Sequence, residues 1–423
     1  MLRSLSCLLA ATVAVSTLAR GQQALTLEQV LDEAVSRNLR LVAERLNLTI
    51  AEARLLQARL RPNPVLSLGG NYLDILGSGF NPATNAAGPT EINVRLDFLF
   101  ERGKKRQQRV AVAEAAKGVA QADFLNTMRT LVLDVQYAFT DLLLAKENAA
   151  LARANLAAFD QIVAINKTRV NSGDLARVEL IRSEVAQLQF ANQVRQAELR
   201  LRLAANRLQT LMGRTVFDPR FDVRGELRRD AVTYTKEDLL KMAISTRPDL
   251  DALRRDQARS QAELRLQLAQ AKVDYTFGAA FNRQFGVGGL RSGNSAGLFL
   301  SVALPVLNKN QGEIERARRE QEQIEARLRS LEQEIQAEVE NAFASYETAK
   351  QLLERIETAL LERASRVRDV MDFSYRRGEA TLVEFLDAQR AYNETMLGYQ
   401  EARAEYGRAL FLIDAITGKG YSK

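Results

Sequence analysis

Two periodicities alternate along this chain. Over long stretches apolar residues recur every three or four positions, and over short ones they recur every second position. The clearest long stretch carries Ile324, Leu328, Leu331, Ile335, Val339, Ala342, Tyr346, Ala349, Leu353, Ile356 and Leu360 with charges between them. That spacing makes one apolar stripe on a helix and is the coiled-coil period. It predicts a long helix over 312–376, and another is expected over 103–171. At ~1.5 Å per residue either helix would reach roughly 100 Å, far more than a compact domain needs. Shorter amphipathic helices are predicted near 27–60 and 236–272, each just after a threonine suited to capping it, Thr26 and Thr235.

The second period is that of strands. In "EINVRLDFLF" Ile92, Val94, Leu96, Phe98 and Phe100 share one face, opposite Glu91, Asn93, Arg95 and Asp97. "DYTFGAAFNRQF" sets Tyr275, Phe277, Ala279 and Phe281 together, and "SAGLFLSVALPVL" does the same for Leu298, Leu300, Val302, Leu304 and Val306. "PVLSLGGNYL" alternates more weakly. The strands are expected over 64–76, 90–100, 274–285 and 295–307. Alternation over about ten residues, bounded by turn residues, is the pattern of membrane β-barrel strands. It also suits a small antiparallel sheet covering a soluble core. Between the strands, "GSGFNPATNAAGP" (77–89) and "GVGGLRSGN" (286–294) are expected to form hairpin loops directed away from the helices.

The two halves of the chain repeat one another. Gly173 and Gly378 lie 205 residues apart, and so do Gly213 and Gly418. "SGDLARVEL" matches "RGEATLVEF" at that offset, "DVQYAFTDLLLAKE" matches "EVENAFASYETAKQ" at 204, and Thr26 matches Thr235 at 209. The expected division is a leader over 1–21, a first repeat over 22–213, a linker over 214–234, a second repeat over 235–418 and a tail over 419–423. Each repeat orders as helix, two strands, very long helix, glycine break and returning helix. Gly173 and Gly378 supply the left-handed conformation that ends a helix. Asp174 and Glu379 are expected to put negative charge at the start of the next helix. Each long helix then returns on itself as a hairpin with an exposed tip.

The leader and the lack of membrane helices tilt the choice between the two sheet alternatives toward the barrel. Arg3 precedes the apolar run "LSCLLAATVAVSTLA", and "ARG" at 19–21 supplies small residues at cleavage spacing, so the start is expected to be a secretory signal peptide. Cys7, the sole cysteine, lies inside that leader. No other segment offers ~18 consecutive apolar residues. An exported chain without membrane helices but with ten-residue alternating strands points to a barrel. Four strands cannot close one, and lipid does not tolerate an open sheet edge, so other subunits must complete the wall. Three chains would give 12 strands, an even number within the known range.

The net charge of +7 does not mark a nucleic-acid binder, because Lys and Arg (59) are interspersed with Asp and Glu (52) in an exported chain. With no His and no mature Cys, the common acid–base and nucleophile sets are absent, so no catalytic residue and no cofactor are expected. The usual transition-metal ligands are missing for the same reason. The basic run "ERGKKRQQR" (101–109) falls where strand meets long helix; it suits either anionic lipid headgroups or a solvated first helical turn. A soluble periplasmic coiled-coil scaffold or adaptor is the alternative function for such a chain.

Through its duplication, paired strands, long helices and glycine tips, the mature chain resembles the TolC-type outer-membrane efflux proteins. "SVALPVLNKNQGEIERA" and "YRRGEATLVEFLDAQRAYNE" resemble the cobalt–zinc–cadmium efflux subgroup in particular. The resemblance implies a mainly α fold with a membrane β-barrel portion: a homotrimer with a shared 12-stranded barrel in the outer membrane lipid and an α-helical tunnel extending into the periplasm. It implies a passive duct coupled through a periplasmic adaptor (membrane fusion) protein to an inner-membrane RND-type pump. The adaptor would meet the tips, at Ser172, Gly173 and Asp174 and at Arg377, Gly378 and Glu379. The family's best-known members carry Val-Gly-Leu-like tips, whereas this chain has Ser-Gly-Asp and Arg-Gly-Glu. The resemblance also places an acidic aperture ring on Glu384 and Asp387, whose equivalents in the first repeat are Glu179 and Arg182. A basic residue that locks the tip elsewhere in the family corresponds to Ala380 here.

Overall fold

A computed structural model describes residues 24–73, 75–77, 89–230, 232–286, 289 and 291–419. The expected leader, most of the loop over 77–89, part of that over 286–294 and the tail beyond Lys419 lie outside them. The first half of the chain forms α1 (Leu27–Arg37), α2 (Leu39–Arg59), β1 (Val65–Asn71), β2 (Glu91–Phe100), α3 (Lys105–Asn171) and α4 (Arg177–Leu211). The second half forms α5 (Lys236–Thr246), α6 (Pro248–Gln270), β3 (Tyr275–Gln284), β4 (Gly293–Val302), α7 (Gln311–Arg355), a π turn (Ile356–Leu360), α8 (Leu361–Arg377) and α9 (Leu382–Ile416).

Each opening helix, expected as one piece, is two. Asn38 adopts an extended backbone (φ −60°, ψ 121°), and its side-chain oxygen accepts from the Arg40 and Leu41 N–H groups, so it caps a new helix. In the second half Arg247 is extended (ψ 125°) because it precedes Pro248, which then occupies the first position of α6. The threonine caps form as expected. Thr26 and Gln29 bond reciprocally, a capping box, and Thr235 accepts from the Asp238 N–H.

The second long helix is also interrupted. Its apolar stripe is buried from Ile324 through Ile335, Val339, Ala342, Tyr346, Ala349 and Leu353 to Ile356. At Leu360 the stripe fails, and that side chain is 48% exposed. A π turn holds one residue more than an α turn and so shifts the register. The inward side passes from Ile356 to Leu361, five positions on instead of four. The repeat offset changes between the same points, from 204 at "AFTDLLLAKE" to 205 at the glycine tips. The π turn therefore absorbs one residue present in the second half and absent from the first.

Two compact units emerge, and each draws on both halves of the chain. One comprises residues up to Ala34 with Val135–Leu227 and Leu361–Ala404; the other comprises Val35–Asp134, Arg228–Leu360 and the chain from Glu405 onward. Within the first, α3 and α4 run antiparallel, tied by Arg207–Asp141 (3.0 Å), Arg153–Glu198 (2.8 Å) and Gln187–Asp160 (2.7 Å).

The second unit holds the antiparallel sheet, in the order β1-β2-β3-β4. Its register sets Leu68 opposite Val94, Val94 opposite Phe281, Phe98 opposite Phe277 and Phe277 opposite Leu300. One face is thus apolar over most of its height, with Arg283 opposite Ile92 and Asn294 opposite Arg283 at its outer end. The other carries Asn93, Arg95, Asp97, Asn282 and Ser301, with the Arg95 guanidinium 4.6 Å from the Phe299 ring centre. β1 ends at Asn71, short of the expected 76. β4 spans 293–302 and leaves Leu304 and Val306 beyond it, since Pro305 has no N–H to continue a ladder. No described helix is long and apolar enough to cross a membrane.

Candidate functional site

Both hairpin tips are built by the same backbone device. The Asp174 N–H bonds the Arg169 carbonyl at 2.8 Å and the Gly173 N–H that of Val170 at 3.1 Å. At the second tip, Glu379 N–H reaches Ser374 O at 2.9 Å and Gly378 N–H reaches Tyr375 O at 3.0 Å. This nested pair satisfies the last helical carbonyls and requires a left-handed residue, hence glycine at φ 85° and 80°. The acids after the glycines do not cap the next helices as expected. Those helices begin three residues later, and Asp174 instead accepts from the Ser172 hydroxyl at 2.7 Å.

The returning helices start differently. α4 follows Ala176, which offers no side-chain cap, and Glu179 pairs with Arg182 at 2.8 Å. α9 follows Thr381, whose hydroxyl accepts from the Glu384 N–H at 3.3 Å; the Glu384 carboxylate accepts from the Thr381 N–H at 2.8 Å and from its hydroxyl at 2.9 Å. This capping box draws Glu384 back onto the first turn. The Thr381 backbone N–H, and then its hydroxyl, hold the Glu384 carboxyl below the usual range, so it stays ionised. Asp387, one turn on, is exposed and has no hydrogen bond or ion pair among the described residues.

The six expected tip residues are all exposed. The Arg377 guanidinium lies 4.3 Å from the Phe373 ring centre, on its own helix. Behind the tips, Phe159, Ile162, Ala186, Phe190, Tyr375, Leu382 and Phe385 form a buried cluster drawn from α3, α4, α8 and α9, with Ala380 packed against it. Ring centres lie 5.0 Å apart for Phe159–Phe190 and 5.3 Å apart for Tyr375–Phe385. Burying each such side chain contributes roughly 1.5–3 kcal/mol.

Three residues that the sequence did not single out join the two hairpins. The Tyr375 hydroxyl donates to Asn166 Oδ1 at 2.8 Å, and Asn166 is fully buried. Its Nδ2 has no acceptor among the described residues. Arg169 reaches the Tyr375 carbonyl at 3.4 Å, and its Nη2 would lie 2.8 Å from a Cβ placed on Gly378. A basic contact thus comes from α3, where Ala380 supplies none. A polar residue interrupting an apolar stripe, as in "AINKTR", was the available signal for Asn166.

The sheet is the second functional feature. Leu66, Leu68, Phe98, Phe277 and Leu300 are each at least half exposed, and Leu298 is 90% exposed. β1 and β4 have one strand partner each among the described residues, so both edges are open. No group of three or more His, Cys, Asp or Glu among the described residues is placed to hold a metal ion.

The family model for the outer membrane efflux protein matches residues 30–214 and 239–419. The chain is 23% identical over 397 residues to the cobalt-zinc-cadmium resistance protein CzcC of Cupriavidus metallidurans, covering 93% of this chain and 90% of that one. A membrane protein from Pseudomonas aeruginosa has the same fold, with a TM-score of 0.77 at 19% identity and 93% of each chain covered. So has the Campylobacter jejuni CmeC outer membrane channel, with a TM-score of 0.78 at 14% identity, covering 93% of this chain and 86% of that one. The amphipathic sheet, the duplicated hairpins and a match running through both halves identify one family: the chain belongs to the outer membrane efflux proteins and resides in the outer membrane, with its helical tunnel in the periplasm.

Proposed function

We propose that the protein is the exit duct of a tripartite efflux system, a passive homotrimer coupled through a periplasmic adaptor to an inner-membrane RND-type pump. The observation that carries this is the sheet: an apolar face exposed on one side, polar groups on the other, and two open edges. In lipid every backbone N–H and C=O must be paired, so four strands are stable only as part of a closed wall. Three copies supply 12 strands, with the apolar face toward lipid and the Arg95–Asp97 face toward the lumen. The exposed tips at Ser172–Asp174 and Arg377–Glu379 are the adaptor contacts in this reading.

Glu384 and Asp387 form the aperture ring. Three chains bring six carboxylates together, which attract cations and repel one another. The name of the CzcC relative favours cobalt, zinc and cadmium ions as the cargo. In planar bilayers Glu384→Ala with Asp387→Ala raises conductance and lowers cation preference, while Thr381→Ala, which removes the cap but no charge, leaves cation preference intact. Unchanged conductance and selectivity in the double variant would remove the ring assignment. Deleting the gene lowers tolerance to the three metals; undiminished tolerance to all of them would sink the metal reading and leave the duct standing.

A further inference from the structure

The apolar face of the sheet ends on two borders of different chemistry. At the border away from the helices the charges are mixed: Glu91 bonds Gln284, and Arg283 bonds Asn294 at 2.9 Å. At the other border the chain crosses between strand and helix over 60–64, 101–104, 271–274 and 303–310. The only acids in these crossings, Glu101 and Asp274, are both taken: Arg109 bonds Glu101, and Lys105 Nζ lies 2.7 Å from Asp274. The side chains of Arg61, Arg102, Lys104, Arg106, Lys272 and Lys309 remain without a carboxylate partner among the described residues, although the Arg102 backbone N–H donates to Asp274 at 2.9 Å, and all but Arg106 are exposed.

Two details tie this charge to the apolar face. Tyr275 pairs with Phe100 and shares its side of the sheet. Arg102 donates to the Tyr275 hydroxyl at 2.6 Å, with its guanidinium 4.9 Å from the ring centre. A tyrosine topped by a cation just past an apolar band is the arrangement of a membrane–water interface. Lys104 also holds a left-handed backbone (φ 60°) immediately after Gly103 (φ 71°). A lysine there is strained where glycine or asparagine would cost less, and such strain concentrates at functional positions.

We propose that this border is a binding surface for anionic phospholipid headgroups of the inner leaflet of the outer membrane. The proposal rests on the lipid-facing reading of the sheet given above. Arg102 and Lys104 meet the phosphates beside the Tyr275 belt, and Arg106, Lys272 and Lys309 extend the positive rim around the strand ends. Each basic residue held near an anionic surface strengthens binding on the order of fivefold, and the effect fades beyond a Debye length.

The test uses the full chain in detergent, titrated with short-chain phosphatidylglycerol, phosphatidylcholine or inorganic phosphate, with the melting midpoint as readout. Wild type is expected to be stabilised by phosphatidylglycerol more than by phosphatidylcholine, and less so at high salt. Combining Arg102→Gln, Lys104→Gln, Arg106→Gln and Lys272→Gln weakens that binding at least about twentyfold, even with strong non-additivity. Arg283→Gln at the other border changes it less than about twofold. If the combined variant does not fold, Lys104→Gln and Lys272→Gln singly carry the test, each losing about fivefold. Equal response to the two lipids, or an unaltered response in the variants, overturns the proposal. So does equal stabilisation by phosphate alone, which indicates an ion site and not a lipid surface. A protein that inserts into bilayers without headgroup preference refutes this inference only; one that stays soluble without detergent refutes the lipid-facing reading itself.

Discussion

The buried Tyr375–Asn166 bond gives the sharpest test of how the tips are held. Tyr375→Phe keeps the ring, and with it the packing on Phe385 at 5.3 Å. It removes the 2.8 Å hydrogen bond to Asn166 Oδ1, the only one to that oxygen among the described residues, in a residue with no exposed surface. An orphaned buried acceptor costs about 1–3 kcal/mol. Asn166→Leu alone orphans the hydroxyl of Tyr375, a residue only 3% exposed, at a similar cost. The double variant removes donor and acceptor together, along with the unpartnered Asn166 Nδ2, and leaves groups of similar shape. It should therefore be close to wild type or more stable, giving a coupling of at least about 2 kcal/mol. Amide hydrogen exchange resolves this locally. Both single variants should speed exchange around Leu382–Phe385 by about 5- to 150-fold, while Arg153–Glu198, further along the same hairpin, should protect its neighbours as before. If the double variant is as weakened as the sum of the two singles, the bond is not what couples the hairpins.

Two further outcomes follow from other parts of the fold. Deleting Thr358 from the π turn restores the α register, so helix content and tip exchange should be unchanged, whereas deleting Ser330 within α7 rotates everything beyond it by about 100° and should disrupt packing; equal damage from the two deletions, by circular dichroism and exchange, would refute the insertion. Burial, and then the neighbouring Tyr346, push Tyr406 up to about 12. The folded state thus holds that proton more tightly than the unfolded chain, whose tyrosine titrates near about 10. Its contribution is complete below pH of about 10 and is lost as pH rises to about 12, so the stability difference between wild type and Tyr406→Phe should shrink across that window. A difference constant with pH in chemical denaturation would count against the buried, protonated tyrosine.

The sequence was most legible where one residue property repeats. Alternation placed β2 and β3 almost to the residue, because a strand with one face apolar has a single register that keeps Phe98 and Phe277 on that face. The glycine tips were legible because a left-handed helix end admits few other residues. Less legible were breaks made by one ordinary residue. Asn38 and Pro248 each split a helix whose apolar spacing continues across the gap, so periodicity alone joined the pieces. The π turn was visible only as a change of offset between the halves, since Leu360 keeps the spacing that the backbone abandons.

By itself the sequence determined the duplication, the two periods, the four strands and the absence of His, and these follow from composition and spacing that any fold must respect. It left open which side chains meet. That Arg169 reaches Tyr375 and that Asn166 is fully buried against the Tyr375 hydroxyl were decided by tertiary structure. These contacts join residues up to 209 positions apart, and no local pattern records a distance in space. Helix caps, strand faces and glycine turns are settled within a few residues, whereas a buried polar bond exists only once four helices have closed around it.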